Sequence, residues 1–335
     1  MADMVQVKKK IALLHRFPAS QIKETNAAFP FLEAKGIDIL TFKKFNRLNH
    51  LKKFWKSIAW IFYAPCLVVG KGYDVIYCDD SYPFYPALVK AFSPCSKVVL
   101  RIGDLHLMYY YSGFTYKVLH FLEKIVWIMA DEIIAISEAM ADYIEKEIGR
   151  RPKVALDPVD PKDFPSKHSY NSGDIMFHGT LTKNKNVDIL LDAARLLPER
   201  DFTIIGEGPD YKRLSKIAPG NVYFHGWVPF KDMWLHIGSC GIGVALRSDN
   251  PGNEYVVTSP FLQYGVMGKP CLVTKRKVFG DYEWQFSTAE ELAEKINHLS
   301  SFEKQLLEGW ELRKYVVQNH DAKKIAEEIW CLLQS

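Results

Sequence analysis

Short apolar runs of five to seven residues alternate with stretches in which apolar side chains return every three or four positions, and the alternation continues through most of the chain. The first pattern reads as buried strand and the second as amphipathic helix, which together predict βα units around parallel sheets. In the first half, strands are expected at Lys10–His15, Asp38–Phe42, Asp74–Cys78, Lys97–Ile102, Glu132–Ser137 and Lys153–Asp157, with helices at Tyr116–Ala130 and Glu138–Ile148. The segment "DPVDPKDFPSKHSYNSG", Asp157–Gly173, has no apolar period and is rich in Pro, Asp, Ser and Lys, so it reads as a boundary. Strands resume at Asp174–Gly179, Phe202–Gly208, Asn221–Gly226, Cys240–Leu246 and Pro270–Thr274. The helices between and after them are expected at Val187–Leu197, Asp210–Ile217, Phe230–Ile237, near Ser259, Ala289–Leu299, Phe302–Gln318 and Ala322–Leu333. The fold class is α/β, two Rossmann-like doubly wound domains facing a cleft. Residues 1–160 form the first domain, 171–318 the second, and 319–335 a C-terminal helix packing back on the first. Ligands of open α/β sheets bind beyond the carboxyl ends of the strands, so the strand-end loops are where chemistry is sought.

The length of 335 residues suits two cores of about 150 each. A net charge of +4 is too small for a dedicated nucleic-acid binder, and no nucleic-acid partner is expected. The basic excess is local: Thr41–Tyr73 holds seven Lys or Arg and no acid. Within it, Phe45, Leu48, Leu51, Phe54, Trp55, Ile58 and Ile61 recur near helical spacing between lysines. An anionic membrane surface met through residues 43–63 is the expected partner; a core-packing helix with a basic outer face is the alternative. The longest apolar stretch, Ile58–Gly70, is shorter than the roughly 18 to 20 residues of a membrane span. The start, "MADMVQVKKKIALLHRF", fits a first strand better than a secretory signal. Six scattered cysteines without zinc spacing read as reduced thiols of a cytoplasmic protein, peripheral on the inner face of the membrane.

Two places have the chemistry of an anion site. After the strand ending at His178, Gly179 allows close backbone approach, Lys183 and Lys185 precede a helix, and Asn186 is a candidate N-cap. A solvated surface loop is the alternative. Near the C-terminus, Ser259 as N-cap with Pro260 at the first helical position is a favoured helix start. Two helix N-termini and a lysine would cradle a diphosphate. In the first half, "RIGDLHLMYYYSGF" puts Asp104 and His106 at a strand end as catalytic candidates, with Tyr109 able to stack on a sugar. Asp79-Asp80-Ser81 ends the preceding strand, and Asp80 and Ser81 could bind acceptor hydroxyls or simply cap the strand.

"FHGTLTKNKNVDILLDAARLL", the "GEGP" turn of Gly206–Pro209, "NVYFHGWVP" (Asn221–Pro229) and "LQYGVMGKPCLV" (Leu262–Val273) follow one another in the second half, and "DEIIAISEAMADYI" and "DPVDPKDF" stand in the first. On these segments, in this order, the chain resembles GT-B glycosyltransferases, closest to glycosyltransferase family 4 (glycosyl transferases group 1). The resemblance implies that Lys185 contacts the donor diphosphate, and that Gln263 stands where the second carboxylate of a paired-glutamate motif holds the ribose. The first carboxylate falls on Tyr255, beside Glu254. Gly206, Gly208, Trp227 and Val228 match the nucleobase side; Gly179, Thr180, Lys183, Thr258 and Ser259 complete the donor set. Thr180 replaces an arginine, and Gly103 stands where a cleft histidine is usual, leaving His106 as its substitute. The implied activity is a retaining, metal-independent hexosyltransferase. It uses a nucleotide diphosphate sugar as substrate, a glycan or lipid-linked acceptor and no cofactor. The alternative is a glycan-binding or scaffold protein of the same shape with a degenerate donor site. "GEGPDY" fails GxGxxG at Tyr211, which disfavours a nicotinamide dehydrogenase.

Overall fold

The structure is a computed structural model. It describes residues 9–15, 26–41, 53–79, 84–165 and 174–335, with the backbone alone for 53–58. The chain divides into two compact units, Met1–Pro158 with Ala322–Ser335, and Val159–Asp321.

The first unit holds β1 (Ile11–His15), β2 (Asp38–Thr41), β3 (Val75–Asp79), β4 (Lys97–Ile102), β5 (Glu132–Ala135) and β6 (Lys153–Val154) in one parallel sheet of order β2-β1-β3-β4-β5-β6. Its helices are α1 (Phe29–Ala34), α2 (Lys53–Cys66), α3 (Tyr85–Phe92), α4 (His106–Tyr110), α5 (Gly113–Met129) and α6 (Glu138–Ile148). Helices on the sheet faces explain why β3 and β4 read as unbroken apolar runs. The last helix, α13 (Ala322–Gln334), places Ile325, Ala326, Ile329 and Leu333 in the core with Ile11, Leu13 and Phe29. Lys35 ties it to α1 through Glu327 at 2.7 Å. The strand expected to reach Ser137 stops at Ala135, because the Ser137 hydroxyl accepts the Met140 N–H at 3.1 Å and caps α6 instead.

The second unit has β7 (Ile175–His178), β8 (Phe202–Ile205), β9 (Val222–Gly226), β10 (Ile242–Ala245), β11 (Cys271–Thr274) and β12 (Gln285–Phe286), parallel in the order β12-β11-β10-β7-β8-β9. Around them lie α7 (Asp188–Leu196), α8 (Tyr211–Ile217), α9 (Met233–Ser239), α10 (Ser259–Val266), α11 (Ala289–His298) and α12 (Phe302–His320). Close packing of α10 on α12 depends on glycine: a Cβ on Gly265 would stand 2.5 Å from the Val316 side chain, and one on Gly309 would stand 2.0 Å from the Gly268 carbonyl oxygen. The short elements α1, α3, α4 and β12 carry too little periodicity to be read from sequence.

Candidate functional site

In the second unit the chain runs from β7 outward through β8 to β9, then returns to the other side of β7 with β10 and continues outward to β12. The connection therefore reverses between β7 and β10. Such a switch point leaves a crevice outside the carboxyl ends of the two strands, where open sheets bind ligands.

Bare backbone lines this end. Gly179 N–H donates to the Ile205 carbonyl at 2.9 Å, Leu181 N–H to Glu207 at 2.9 Å, and Gly206 N–H to Gly226 at 2.8 Å. A Cβ on Gly206 (φ +137°) would stand 2.0 Å from the Gly179 carbonyl oxygen, and one on Gly208 would stand 2.2 Å from that of Leu181. The two loops touch through their main chains and leave no room for a side chain between them. Lys185 folds over this floor, its Cε 3.9 Å from where a Gly179 Cβ would be.

A polar knot sets that lysine. Lys183–Lys185 form a single 3-10 turn, and Asn186 closes it in the left-handed region at φ 51°, a conformation asparagine tolerates. Asn186 is thus not the N-cap of α7; Val187 precedes that helix without a side-chain cap. Between the lysines, Asn184 accepts the Ser248 N–H on its carbonyl at 2.9 Å. Its Oδ1 accepts the Ser248 hydroxyl at 2.8 Å and Asn253 Nδ2 at 3.0 Å. Asn253 is fully buried. The turn from β7 is thereby pinned to the loop from β10, across the switch point. Nothing in the sequence singled out Asn184, Ser248 or Asn253; a polar residue between two lysines was the only signal.

The N-cap of α10 is Thr258, which accepts the Phe261 N–H at 3.4 Å, so Ser259 is the first helical residue rather than the cap. Gln263 is half-buried one turn later. Beside it, the Tyr264 hydroxyl donates to the Met176 carbonyl at 2.7 Å, and the Tyr264 ring lies 2.4 Å from where a Gly243 Cβ would be. Glu254 is already engaged: its carboxylate accepts the Lys277 N–H at 3.0 Å and lies 3.8 Å from Arg276 Nε. Lys277 Nζ stands 5.9 Å from the Tyr255 ring centroid. Thr180 and Lys183 are exposed and Trp227 is 66% exposed, whereas the Val228 side chain belongs to the core.

Directly behind the Gly179 loop, His178 is buried, its ring 5.0 Å from Tyr264 and its Nε2 without a hydrogen-bond partner among the described residues. Burial, with help from the nearby Lys185 charge, pushes its pKa down from 6.5 to about 3. The folded value lies below the unfolded one, so this contribution to stability is present above pH 6.5 and is lost as pH falls toward 3. From pH 7 to pH 5 the loss through this residue is about 2 kcal/mol. Urea unfolding of the wild type and of His178→Leu at both pH values checks this: an equal acid loss in the two proteins would refute it.

In the first unit the chain reverses between β1 and β3. Asp79, at the end of β3, is committed inside the fold. It accepts from Arg101 Nη1 at 3.1 Å and Asn26 Nδ2 at 3.0 Å, and Arg101 Nη2 reaches Asp157 at 2.7 Å. Burial works against the Arg101 cation, but Asp79 and its neighbours outweigh it and hold the pKa above the ordinary value. This buried cluster was announced only by an arginine and an aspartate inside apolar runs. Asp80 and Ser81 lie outside the described residues. His106 is the first residue of α4, half-buried, its ring 6.4 Å from Tyr110. Asp104 accepts the Leu105 N–H at 2.9 Å, and Tyr109 packs edge-on to Tyr110 at 6.5 Å. Among the described residues no group of three or more His, Cys, Asp or Glu could hold a metal ion, and no helix is long and apolar enough to cross a membrane.

Residues 172–301 match the family model described as glycosyl transferases group 1. No curated protein matches the chain. Among solved structures, Anabaena HepE in complex with UDP and glucose superposes with a TM-score of 0.70 at 16% identity, covering 98% of this chain and 100% of that one. Sucrose-phosphate synthase from Thermosynechococcus elongatus gives 0.73 at 13% identity, covering 97% and 98%. A glycosyltransferase from Rickettsia africae gives 0.68 at 12% identity, covering 98% of each chain. With two six-stranded parallel sheets and these likenesses over nearly its whole length, the chain has the GT-B fold, and its second unit resembles the glycosyl transferases group 1.

Proposed function

We propose that the chain is a glycosyltransferase that moves a sugar from a nucleotide diphosphate sugar, bound by the second unit, to a glycan or lipid-linked acceptor bound by the first. The observation that carries this reading is the side-chain-free floor made by Gly179 after β7 and by Gly206 and Gly208 after the neighbouring β8, with Lys185 folded over Gly179. Such a floor lets a phosphate approach the main chain closely, and Lys185 supplies the cation that stabilises the departing diphosphate. Gln263 accepts from a ribose hydroxyl through its carbonyl; the exchange from a carboxylate costs on the order of 1 kcal/mol. Reading the enzyme as retaining, hexosyl-transferring and metal-independent rests on the family resemblance. His106 and Asp104 are the catalytic candidates of the first unit, with Asp80, Ser81 and Tyr109 on the acceptor.

HepE structures hold UDP or UDP-glucose, so uridine nucleotides are the first to try. In calorimetry the wild type is expected to bind one or more nucleoside diphosphates, and Lys185→Ala to bind about 10- to 100-fold more weakly, the value of a hydrogen bond to a charged group. Unchanged affinity in the variant would remove Lys185 from the site. One observation favours a second reading, a glycan-binding scaffold: Glu254 is held by Lys277 and Arg276, and its ribose-side partner is the amide Gln263. A wild type that binds no nucleotide or nucleotide sugar decides for the scaffold.

A further inference from the structure

Helix α5 is apolar on two opposite sides. Its buried side consists of Glu123, Val126 and Trp127. At about 100° per residue, Phe114, Val118, Phe121, Ile125 and Ile128 line up roughly opposite that side. Their spacing of four, three, four and three keeps them in one stripe, about 21 Å long. All five are exposed, Phe114 by 80% and Phe121 and Ile128 by 61% each. Single exposed apolar residues need no explanation, but a surface helix ordinarily turns a polar face outward, and a contiguous stripe marks a contact surface. The helices beside it expose further apolar residues: α3 packs on α5 and carries Phe92, 62% exposed, while α2 packs on α3 and carries Phe62, 67% exposed.

Charge selects the partner. The helices α2 and α3 contain no acid, and α5 contains only Glu123, which is buried and hydrogen-bonded to His120 Nδ1 at 3.0 Å. The same three helices carry Lys53, Lys56, Lys90, Lys117 and Lys124. Lys90 is paired with Asp131 at 2.6 Å and Lys124 with Glu147 at 3.2 Å, while Lys117 borders the stripe with no ion pair among the described residues. Helix α2 lies within the acid-free stretch Thr41–Tyr73, whose seven basic residues include its Lys53 and Lys56. On α6, which packs beside α5, Glu138, Asp142 and Glu145 are all held by Arg151 at 2.7–2.8 Å.

We infer that α5, with α3 and α2 beside it, is a docking surface for an anionic lipid membrane, lying in the interface plane with its apolar stripe among the acyl chains. A second copy of the chain fits less well, since it would set one basic helical layer against another. Of residues 43–63, the surface read from sequence, the first ten lie outside the described residues and the next six are described by backbone alone; Trp60 is fully buried and Phe62 is exposed. The inference does not rest on the glycosyltransferase reading: none of these residues belongs to the glycine loops, and lipid binding is measured without nucleotide.

The test is co-sedimentation of the full chain with phosphatidylcholine vesicles, with and without phosphatidylglycerol, at low and high salt. The wild type is expected to sediment with the anionic vesicles alone, and less at high salt. Replacing Phe121 and Ile128 by serine should weaken that binding roughly tenfold or more, from lost burial of two large apolar groups, without changing thermal unfolding. Should the pair lower the unfolding temperature, Phe114→Ser, at the most exposed position, replaces it. Three results would overturn the inference. The first is a wild type that ignores anionic vesicles, the second is binding unaffected by these substitutions, and the third is a dimer in sedimentation equilibrium that they dissolve while vesicle binding is absent.

Discussion

Replacing Arg101 by methionine should cost the first unit about 3–5 kcal/mol of stability, the penalty for stranding the buried Asp79 carboxylate, and with it the partly buried Asp157, once their cation is gone. The Arg101 side chain is 8% exposed and joins Asp79, 6% exposed, to Asp157. It ties the ends of β3 and β4 to the segment that follows β6. Burial raises the Asp157 pKa and Arg101 pulls it back, so losing the arginine lets Asp157 take a proton more readily. The deficit of Arg101→Met should therefore shrink as pH falls from neutral into the carboxylate range. Adding Asp79→Asn and Asp157→Asn to the methionine variant should recover much of it, because a cluster neutralised as a whole strands nothing. Urea midpoints for the three proteins are the measurement, and a cost below about 1 kcal/mol for the methionine alone would show that the cluster is not a fastening.

The second large effect is expected from one methyl group. In Gly206→Ala the new Cβ would sit 2.0 Å from a main-chain oxygen that cannot rotate away, at φ +137°, where L residues are strained. Backbone strain of about 1–3 kcal/mol and overpacking of about 1–3 kcal/mol add, so the second unit should lose about 2–6 kcal/mol. If the chain relaxes instead by parting the two loops, stability is partly kept and nucleoside diphosphate binding is lost. Gly220→Ala is the control, since a Cβ there meets nothing within 4 Å. Equal stability and equal nucleotide binding in the two variants would mean that the glycine floor neither shapes the unit nor serves a ligand.

Much of the fold was legible because its strands are covered on both faces and appear as apolar runs such as "KVVLRI", whose expected span matches β4 residue for residue. The expected span of α6, Glu138–Ile148, matches residue for residue, although Ser137, read as strand, turned out to be its cap and Gly149 at φ 70° its stop. Caps elsewhere were harder. Thr258 and Ser259 are both good cap residues, and the choice between them depends on where Tyr264 must point to reach the Met176 carbonyl. Asn186 has a cap residue's chemistry but is used for its left-handed backbone.

The sequence by itself determined two βα-built units, the positions of the glycines and lysines after β7 and β8, and a basic, acid-free segment in the first half. These are local properties, set by periodicity, by chain flexibility at glycine and by charge. Only the tertiary structure decided that Asn184 meets Ser248 and Asn253, that Arg101 lies between two aspartates, and that Glu254 is occupied by Lys277 and Arg276. It also showed that α5 leaves an apolar stripe uncovered. Each of these pairs residues through strand order or through the packing of separate helices, and no local pattern encodes which distant segment arrives beside another.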